Sequence, residues 1–254
     1  MRHRPFNIAH QGASRVCPPN TLRAFRRAIG MGADWIELDV VGAADDAVIV
    51  SHDTTVDRCT DGTGRIAEMA LAELKRLDAG VRFGQSFAGE RMPTLVEVID
   101  AVSHWPVRLC IEIKGDGVDD HLRTAALAAA VLRRCDYVRP AVMTSFDPGC
   151  LIEVKRIDPR VATALDPDRQ DGTRTPWELC RQVLDCGANF MLHDHRALTA
   201  DIVLEARHHG FSVWAWTAND PAEMRRALDT GADGLMTDCP DVLDALLNGK
   251  PQAR

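Results

Sequence analysis

Charged side chains spaced two residues apart occur in two apolar stretches of the sequence. Glu37 and Asp39 lie in WIELDV, and Glu112 and Lys114 lie in LCIEIK. Residues two apart on a β-strand leave the same face, so each pair can enter one site. Three close carboxylates repel one another unless a cation neutralises them. Oxygen ligands suit a hard divalent ion, so the sequence predicts a site for Mg²⁺ or Ca²⁺.

Two histidines follow short apolar runs and add groups that titrate near neutrality. His10 comes directly after FNIA, and His52 comes after VIVS. A cation that polarises a phosphate, histidines that transfer protons and a nearby lysine together suit cleavage of a phosphate ester. We therefore predict catalytic roles for His10, His52 and Lys114.

Short apolar runs alternate with helical patterns along the chain, which is typical of βα units around a parallel sheet. At 254 residues this alternation predicts an α/β fold of the (β/α)8 TIM-barrel class. The active sites of such barrels form at the carboxyl ends of the strands, where these charged residues fall. The eight predicted strands are Phe6–Ala9, Trp35–Val40, Val107–Ile113, Ala141–Thr144, Val161–Leu165, Asn189–Leu192, Ser212–Trp216 and Gly234–Met236.

One segment does not fit the alternation. After the apolar run Ala47–Val50, residues 54–91 are rich in glycine and loop-forming residues. We predict that 54–91 is a small capping insertion after the second strand, over the barrel mouth. The whole chain, 1–254, is predicted to form one domain.

Composition narrows the classes of partner and location. The net charge of −7 and the pI of about 5.7 disfavour nucleic acid and anionic membranes as partners. Eight cysteines without a C-x-x-C pair disfavour structural zinc and indicate reduced thiols. No apolar run approaches the roughly 20 residues of a membrane span, and no signal peptide precedes the first strand. A cytoplasmic protein without a stable membrane anchor is predicted.

Ten short motifs, in order and at consistent spacing, resemble the glycerophosphodiester phosphodiesterase family across nearly the whole chain. They are AHQG at 9–12, PPNT at 18–21, ELDV at 37–40, SHD at 51–53, VDRCTDGTG at 56–64, MPTL at 92–95, EIK at 112–114, SF at 145–146, WAWTAN at 214–219 and GADGLMTDCP at 231–240.

The resemblance implies metal-dependent hydrolysis of a glycerophosphodiester to glycerol 3-phosphate and an alcohol. By this resemblance His10 and His52 are the acid and base, and the three carboxylates are the metal ligands. Lys114 lies near the phosphate, and Trp216 forms an aromatic wall of the substrate pocket. The implied partner is a small-molecule phosphodiester, and monomer and homodimer both stay open.

The sequence departs from the family at Gln11, where the family usually has an arginine that faces the phosphate. We expect Gln11 at the rim of the site as a substrate-binding residue, with Arg58 as a candidate replacement for the missing charge. Asn20 is either the N-cap of the following helix or part of the site. Asp238 is expected to brace the last βα loop, and Trp214 to fill the core.

Two alternatives stay open beside this hydrolysis. A lysophospholipase D-like enzyme would keep the chemistry and place an apolar groove near Phe83 and Phe87. A catalytically weakened binding module would keep the fold but lose turnover, and Gln11 in place of the family's arginine would be the sign of that loss.

Overall fold

The computed structural model describes residues 4–167 and 174–249. Within them the strands are β1 Phe6–Ala9, β2 Trp35–Gly42, β3 Val48–Val50, β4 Arg108–Ile113, β5 Ala141–Ser145, β6 Ala162–Leu165, β7 Phe190–Asp194, β8 Ser212–Trp216 and β9 Gly234–Thr237. The α-helices are α1 Leu22–Gly30, α2 Leu71–Leu74, α3 Leu95–Val102, α4 Val118–Arg134, α5 Pro148–Ile157, α6 Pro176–Asp185, α7 Ala200–His208, α8 Pro221–Asp229 and α9 Pro240–Leu247.

Eight of these strands are parallel and close into a barrel. They pair in the order β1-β2-β4-β5-β6-β7-β8-β9, and β9 pairs back to β1. Helices connect successive barrel strands, so the predicted (β/α)8 barrel is confirmed. None of the described helices is both long and apolar enough to cross a lipid bilayer.

The helices begin where the sequence supplies a capping oxygen. The hydroxyl of Thr94 accepts from the backbone N–H of Glu97, whose carboxylate reaches back to Thr94 N. Asp147 caps α5 in a similar way, one residue before a proline at the first helical position. The N-cap of α1 is Thr21, not Asn20, which removes one of the two roles considered for Asn20.

Large apolar side chains fill the lower part of the barrel interior. The rings of Trp35 and Trp214 lie 4.8 Å apart, and Phe6 and Phe190 pack on Trp214. Trp214 is fully buried, as the sequence predicts. Burial of each such side chain contributes about 1.5–3 kcal/mol. This plug closes the amino-terminal end of the barrel and leaves the mouth available for polar groups.

The short strand β3 was not predicted as a strand. It pairs antiparallel with the outer half of β2, with Val50 opposite Val40, because β1 is too short to cover that half. A run of three apolar residues has no periodicity that distinguishes a strand from a buried loop. β3 returns the chain towards the barrel, where Ser51 N donates to Asp39 O at 3.0 Å and His52 follows.

The insertion has a small apolar core of its own, which joins β3 to its short helices. Ile49, Val56, Ile66, Leu74 and Met92 are all buried together there. Short 3₁₀ helices at 66–68 and 85–87 complete the insertion. All eight cysteines of the chain are free, in agreement with the predicted reduced thiols.

Candidate active site

Three carboxylates meet at the mouth of the barrel. Glu37 and Asp39 on β2 are almost fully buried, with 2% and 1% of their surface exposed. Asp39 is the register partner of Glu112 on the neighbouring strand β4. One oxygen from each of the three residues lies within 4.8 Å of the others. The structure therefore brings together the three residues that the sequence predicts as metal ligands.

The carboxylates of this cluster repel one another. Burial raises the pKa of Glu37, and the charge of Asp39 raises it further, although His10 and the backbone N–H of Gln11 oppose the effect. Burial and Asp39 likewise raise the pKa of Glu112. The carboxyls of Glu37 and Glu112 therefore hold their protons more tightly than isolated ones, because the charged form is both desolvated and repelled.

Lys114 offsets part of this negative charge. Its Nζ lies 2.5 Å from Oε1 of Glu112 and 3.3 Å from Oδ1 of Asp39. Burial alone would lower the pKa of Lys114, but Glu112 and Asp39 outweigh it and raise the pKa above its ordinary value. Lys114 is thus a fixed positive charge beside the carboxylates.

Two buried carboxylate oxygens of the cluster are suited to bind a cation. Oε1 of Glu37 and Oδ1 of Asp39 accept no hydrogen bond from any group in residues 4–167 and 174–249. The contact between Asp39 Oδ1 and Lys114 is an ion pair without hydrogen-bond geometry. Buried acceptors without a donor are costly, and clustered carboxylate oxygens are the ligands that Mg²⁺ and Ca²⁺ prefer. The donor set therefore fits a hard divalent cation.

His10 is held by a carboxylate from the opposite end of the chain. Its Nδ1 lies 2.7 Å from Oδ1 of Asp238, which also accepts from Ser14 Oγ at 3.0 Å. Oδ2 of Asp238 accepts from Asn219 Nδ2 at 2.6 Å. Burial would lower the pKa of His10, but the Asp238 bond and the charges of Glu37, Asp238 and Asp39 raise it to about 9.

His52 is held by its neighbour in sequence. Its Nδ1 lies 2.8 Å from Oδ1 of Asp53, and Arg58 forms two bonds to the same carboxylate at 2.6 and 2.7 Å. Asp53 therefore orients the imidazole while Arg58 balances its charge. Although burial opposes the effect, His52 and Arg58 lower the pKa of Asp53 below its ordinary value. In this arrangement Arg58 lies beside His52, on the insertion side of the mouth.

Gln11 and Asn20 both contact the clustered carboxylates. Gln11 Nε2 and Asn20 Nδ2 each donate to Oδ2 of Asp39 at 2.8 Å, and Gln11 N donates to Oε2 of Glu37 at 2.9 Å. Both residues have positive φ angles, 54° and 59°. The turn is possible because Gly12 follows, where a Cβ would lie 2.7 Å from the backbone of Ala24. Asn20 is thus part of the site.

Two cavities open at the mouth, and both have His52 in their walls. The barrel cavity, of about 220 Å³, contains Glu37, Glu112, Lys114 and His10 and is walled by the edge-to-face pair Phe146 and Trp216, 6.1 Å apart. The second cavity, of about 310 Å³, lies between the barrel and the insertion. Its lining includes Gln11, Asp53, Arg58, Cys59, Arg82 and Phe83.

Sequence reasoning missed two residues of this site, Thr144 and Asp166, and gave a third, Asp238, too small a role. Asp238 does more than brace the last loop, because it binds His10. Thr144 and Asp166 line the barrel cavity. Asp166 was available from the sequence, since it directly follows a predicted strand and barrel sites form at strand ends. No local signal pairs Asp238 with His10, because the two are 228 residues apart.

Known proteins resemble this chain over its full barrel. Residues 10–242 match the family model described as the glycerophosphoryl diester phosphodiesterase family. A glycerophosphodiester phosphodiesterase of Caldanaerobacter subterraneus subsp. tengcongensis is 34% identical, over 93% of this chain and 95% of that protein. One from Bacillus subtilis is 30% identical, over 97% of this chain and 87% of that protein.

A solved structure is also similar. The Oleispira antarctica phosphodiesterase, in complex with the product sn-glycerol-3-phosphate, superimposes with a TM-score of 0.86 at 28% identity. The alignment covers 95% of this chain and 96% of that one.

Proposed function

The chain belongs to the glycerophosphoryl diester phosphodiesterase family and is a glycerophosphodiester phosphodiesterase, and from that premise we propose a cation-dependent hydrolysis. In this reaction a glycerophosphodiester yields glycerol 3-phosphate and an alcohol. Glu37, Asp39 and Glu112 hold one Mg²⁺ or Ca²⁺ ion. The Oleispira antarctica relative is in complex with the product sn-glycerol-3-phosphate, which supports glycerol phosphate as one half of the substrate.

The observation that carries this proposal is the meeting of three carboxylates with two histidines at one end of the barrel. A divalent cation bound there supplies positive charge that polarises the phosphate. Lys114 adds a second positive charge, next to the negative charge that develops on the phosphate during the reaction. Trp216 and Phe146 exclude water from one side of the barrel cavity.

The two histidines divide the proton transfers. Each imidazole has Nδ1 on a carboxylate, Asp238 for His10 and Asp53 for His52. That bond fixes the ring and leaves Nε2 as the atom that exchanges a proton with the substrate. One histidine removes a proton from the attacking hydroxyl or water, and the other protonates the leaving alkoxide. The attacking group is water or the 2-hydroxyl of the substrate. Attack by the 2-hydroxyl expels the alcohol and forms a cyclic phosphate, which water then opens to glycerol 3-phosphate.

A coupled assay for glycerol 3-phosphate tests the proposal. We expect release from a simple glycerophosphodiester, loss of release with EDTA, and recovery when Mg²⁺ or Ca²⁺ is added back. If neither EDTA nor added cation changes the rate of hydrolysis, no metal takes part in the reaction. A chain that binds the diester without releasing glycerol 3-phosphate would instead be the binding module.

Two further aspects belong to this proposal. We propose that residues 1–254 form one domain, supported by the family match from 10 to 242. We also propose a cytoplasmic location, supported by the eight free cysteines. The lysophospholipase D-like alternative is less well supported, because the cavity beside Phe83 has Arg58 and Arg82 in its wall rather than an unbroken apolar lining.

A further inference from the structure

The second cavity carries a positive charge that no carboxylate balances. Arg58 is fully engaged by Asp53, with two bonds to its carboxylate. Arg82 also lines the cavity, and its Nε donates to the carbonyl of Thr60. Across residues 4–167 and 174–249, no carboxylate oxygen lies within ion-pair distance of the Arg82 guanidinium. Its remaining N–H groups form a planar fork suited to an anion.

The two cavities differ in the groups that they offer a diester. The barrel cavity presents Thr144, Thr217 and the carboxylate of Asp166, which match the hydroxyls of a glycerol arm. The second cavity presents arginines, the ring of Phe83 and apolar groups such as Met92. It is also the larger of the two, at about 310 Å³ against about 220 Å³. A phosphate placed at the carboxylate cluster, beside His52, can extend one arm into each.

We propose that the second cavity binds the leaving alcohol and selects alcohols that carry an anionic group, an inference that rests on the proposed function. A quaternary ammonium group would need aromatic faces or free carboxylates. Besides the imidazole of His52, the cavity offers one aromatic ring, Phe83, and one carboxylate, Asp53, which Arg58 already occupies. Arg82 repels a cationic alcohol and attracts an anionic one.

Three synthetic glycerophosphodiesters that share the glycerol arm test this selection. Their alcohols are choline, its neutral isostere 3,3-dimethylbutanol, and the anionic 4-hydroxybutanoate. We expect kcat/KM for glycerol 3-phosphate release to rise in that order. The anionic diester should exceed the choline diester about tenfold, the effect of one partly solvated charge-assisted contact. A wild-type preference for the choline diester would overturn the proposal.

Substitutions of Arg82 and of Arg91 test which residue causes the preference for an anionic alcohol. Arg82→Gln should bring the ratio of anionic to choline kcat/KM close to one, and Arg82→Lys should keep most of it. Arg91→Gln is the matched control, because Arg91 is another exposed arginine of the insertion that donates to backbone carbonyls and does not line the cavity. It should keep the wild-type ratio. The ratio does not depend on how much of a variant is folded.

An Arg82→Gln ratio equal to that of wild type, or a uniform loss on all three diesters, would overturn the assignment. A second measurement needs no variant. Raising NaCl from about 0.05 M to about 0.5 M should shrink the wild-type advantage of the anionic diester over the neutral one, because salt screens a solvent-facing charge. An advantage that is independent of salt would count against Arg82. Failure of the proposed function is separate, since then none of the three diesters would release glycerol 3-phosphate.

Discussion

Nδ1 of His10 lies 2.7 Å from Oδ1 of Asp238. His10 directly follows the first barrel strand, β1, and Asp238 directly follows the last, β9. The closure of the barrel between β1 and β9 creates this contact, and His10 N also donates to Thr237 O at 2.9 Å. In the proposed reaction we therefore expect Asp238 to act through His10, as a positioning residue.

Asp238→Asn should reduce kcat by about 10²-fold or more, because the amide no longer favours one orientation and tautomer of His10. The Asp238 bond raises the pKa of His10, so its removal should lower that pKa from about 9. An NMR titration of the His10 ring in the cation-free protein measures the shift. Asp241→Asn, an exposed change on α9, is the control. An unchanged His10 titration in Asp238→Asn would contradict the assigned contact.

Removal of any one carboxylate of the cluster should abolish most activity and weaken cation binding. Glu37→Gln, Asp39→Asn and Glu112→Gln each delete an oxygen-ligand charge. Calorimetric titration with Mg²⁺ or Ca²⁺ measures the affinities, and Asp100→Asn on the exposed face of α3 serves as the control. If the three variants bind as wild type does, these carboxylates are not the ligands.

Cation binding should stabilise the protein more at pH 8 than at pH 5.5. The pKa values of Glu37 and Glu112 are raised above their ordinary 4.5, so the cation-free folded state takes up protons that the unfolded chain releases. Their contribution to stability is present below pH 4.5 and is lost as pH rises through the raised values. A bound cation replaces those protons. Thermal unfolding in EDTA and in excess cation measures the difference at each pH, and a larger gain in acid would contradict the prediction.

Replacement of either histidine by alanine should cost about 10²–10⁴ in rate, because proton transfer to or from the substrate is lost. For wild type we expect a bell-shaped dependence of kcat/KM on pH, whose limbs report the coupled site. His104→Ala, an exposed histidine outside the site, is the control. Full activity of His52→Ala, or a flat profile between about pH 5 and 9, would exclude the acid–base assignment.

Gln11→Leu should weaken cation binding about fivefold, since Asp39 Oδ2 loses one of its two side-chain donors and keeps Asn20. A neutral hydrogen bond contributes about 1 kcal/mol, which corresponds to that factor. Calorimetry gives the cation affinity and steady-state kinetics give KM. A raised KM with unchanged cation affinity would show that Gln11 contacts the substrate rather than supporting Asp39.

The sequence by itself determined the barrel and the positions of the three clustered carboxylates on its strands. Alternation of apolar runs with helical patterns is a local property, and it placed all eight barrel strands. The two-residue spacing of Glu37 and Asp39 fixed their common face, because side chains alternate along a strand. These conclusions need only neighbours in sequence and the rule that barrel sites form at strand ends.

Only the tertiary structure decided which distant groups serve those residues. Closure of the barrel brings Asp238 to His10, and the antiparallel pairing of β3 with β2 brings His52 to the mouth. The turn after β1 directs Gln11 towards Asp39, through a positive φ that no pattern of residues specified. Such contacts depend on how the strands and the insertion pack in three dimensions, and a one-dimensional pattern does not contain that packing.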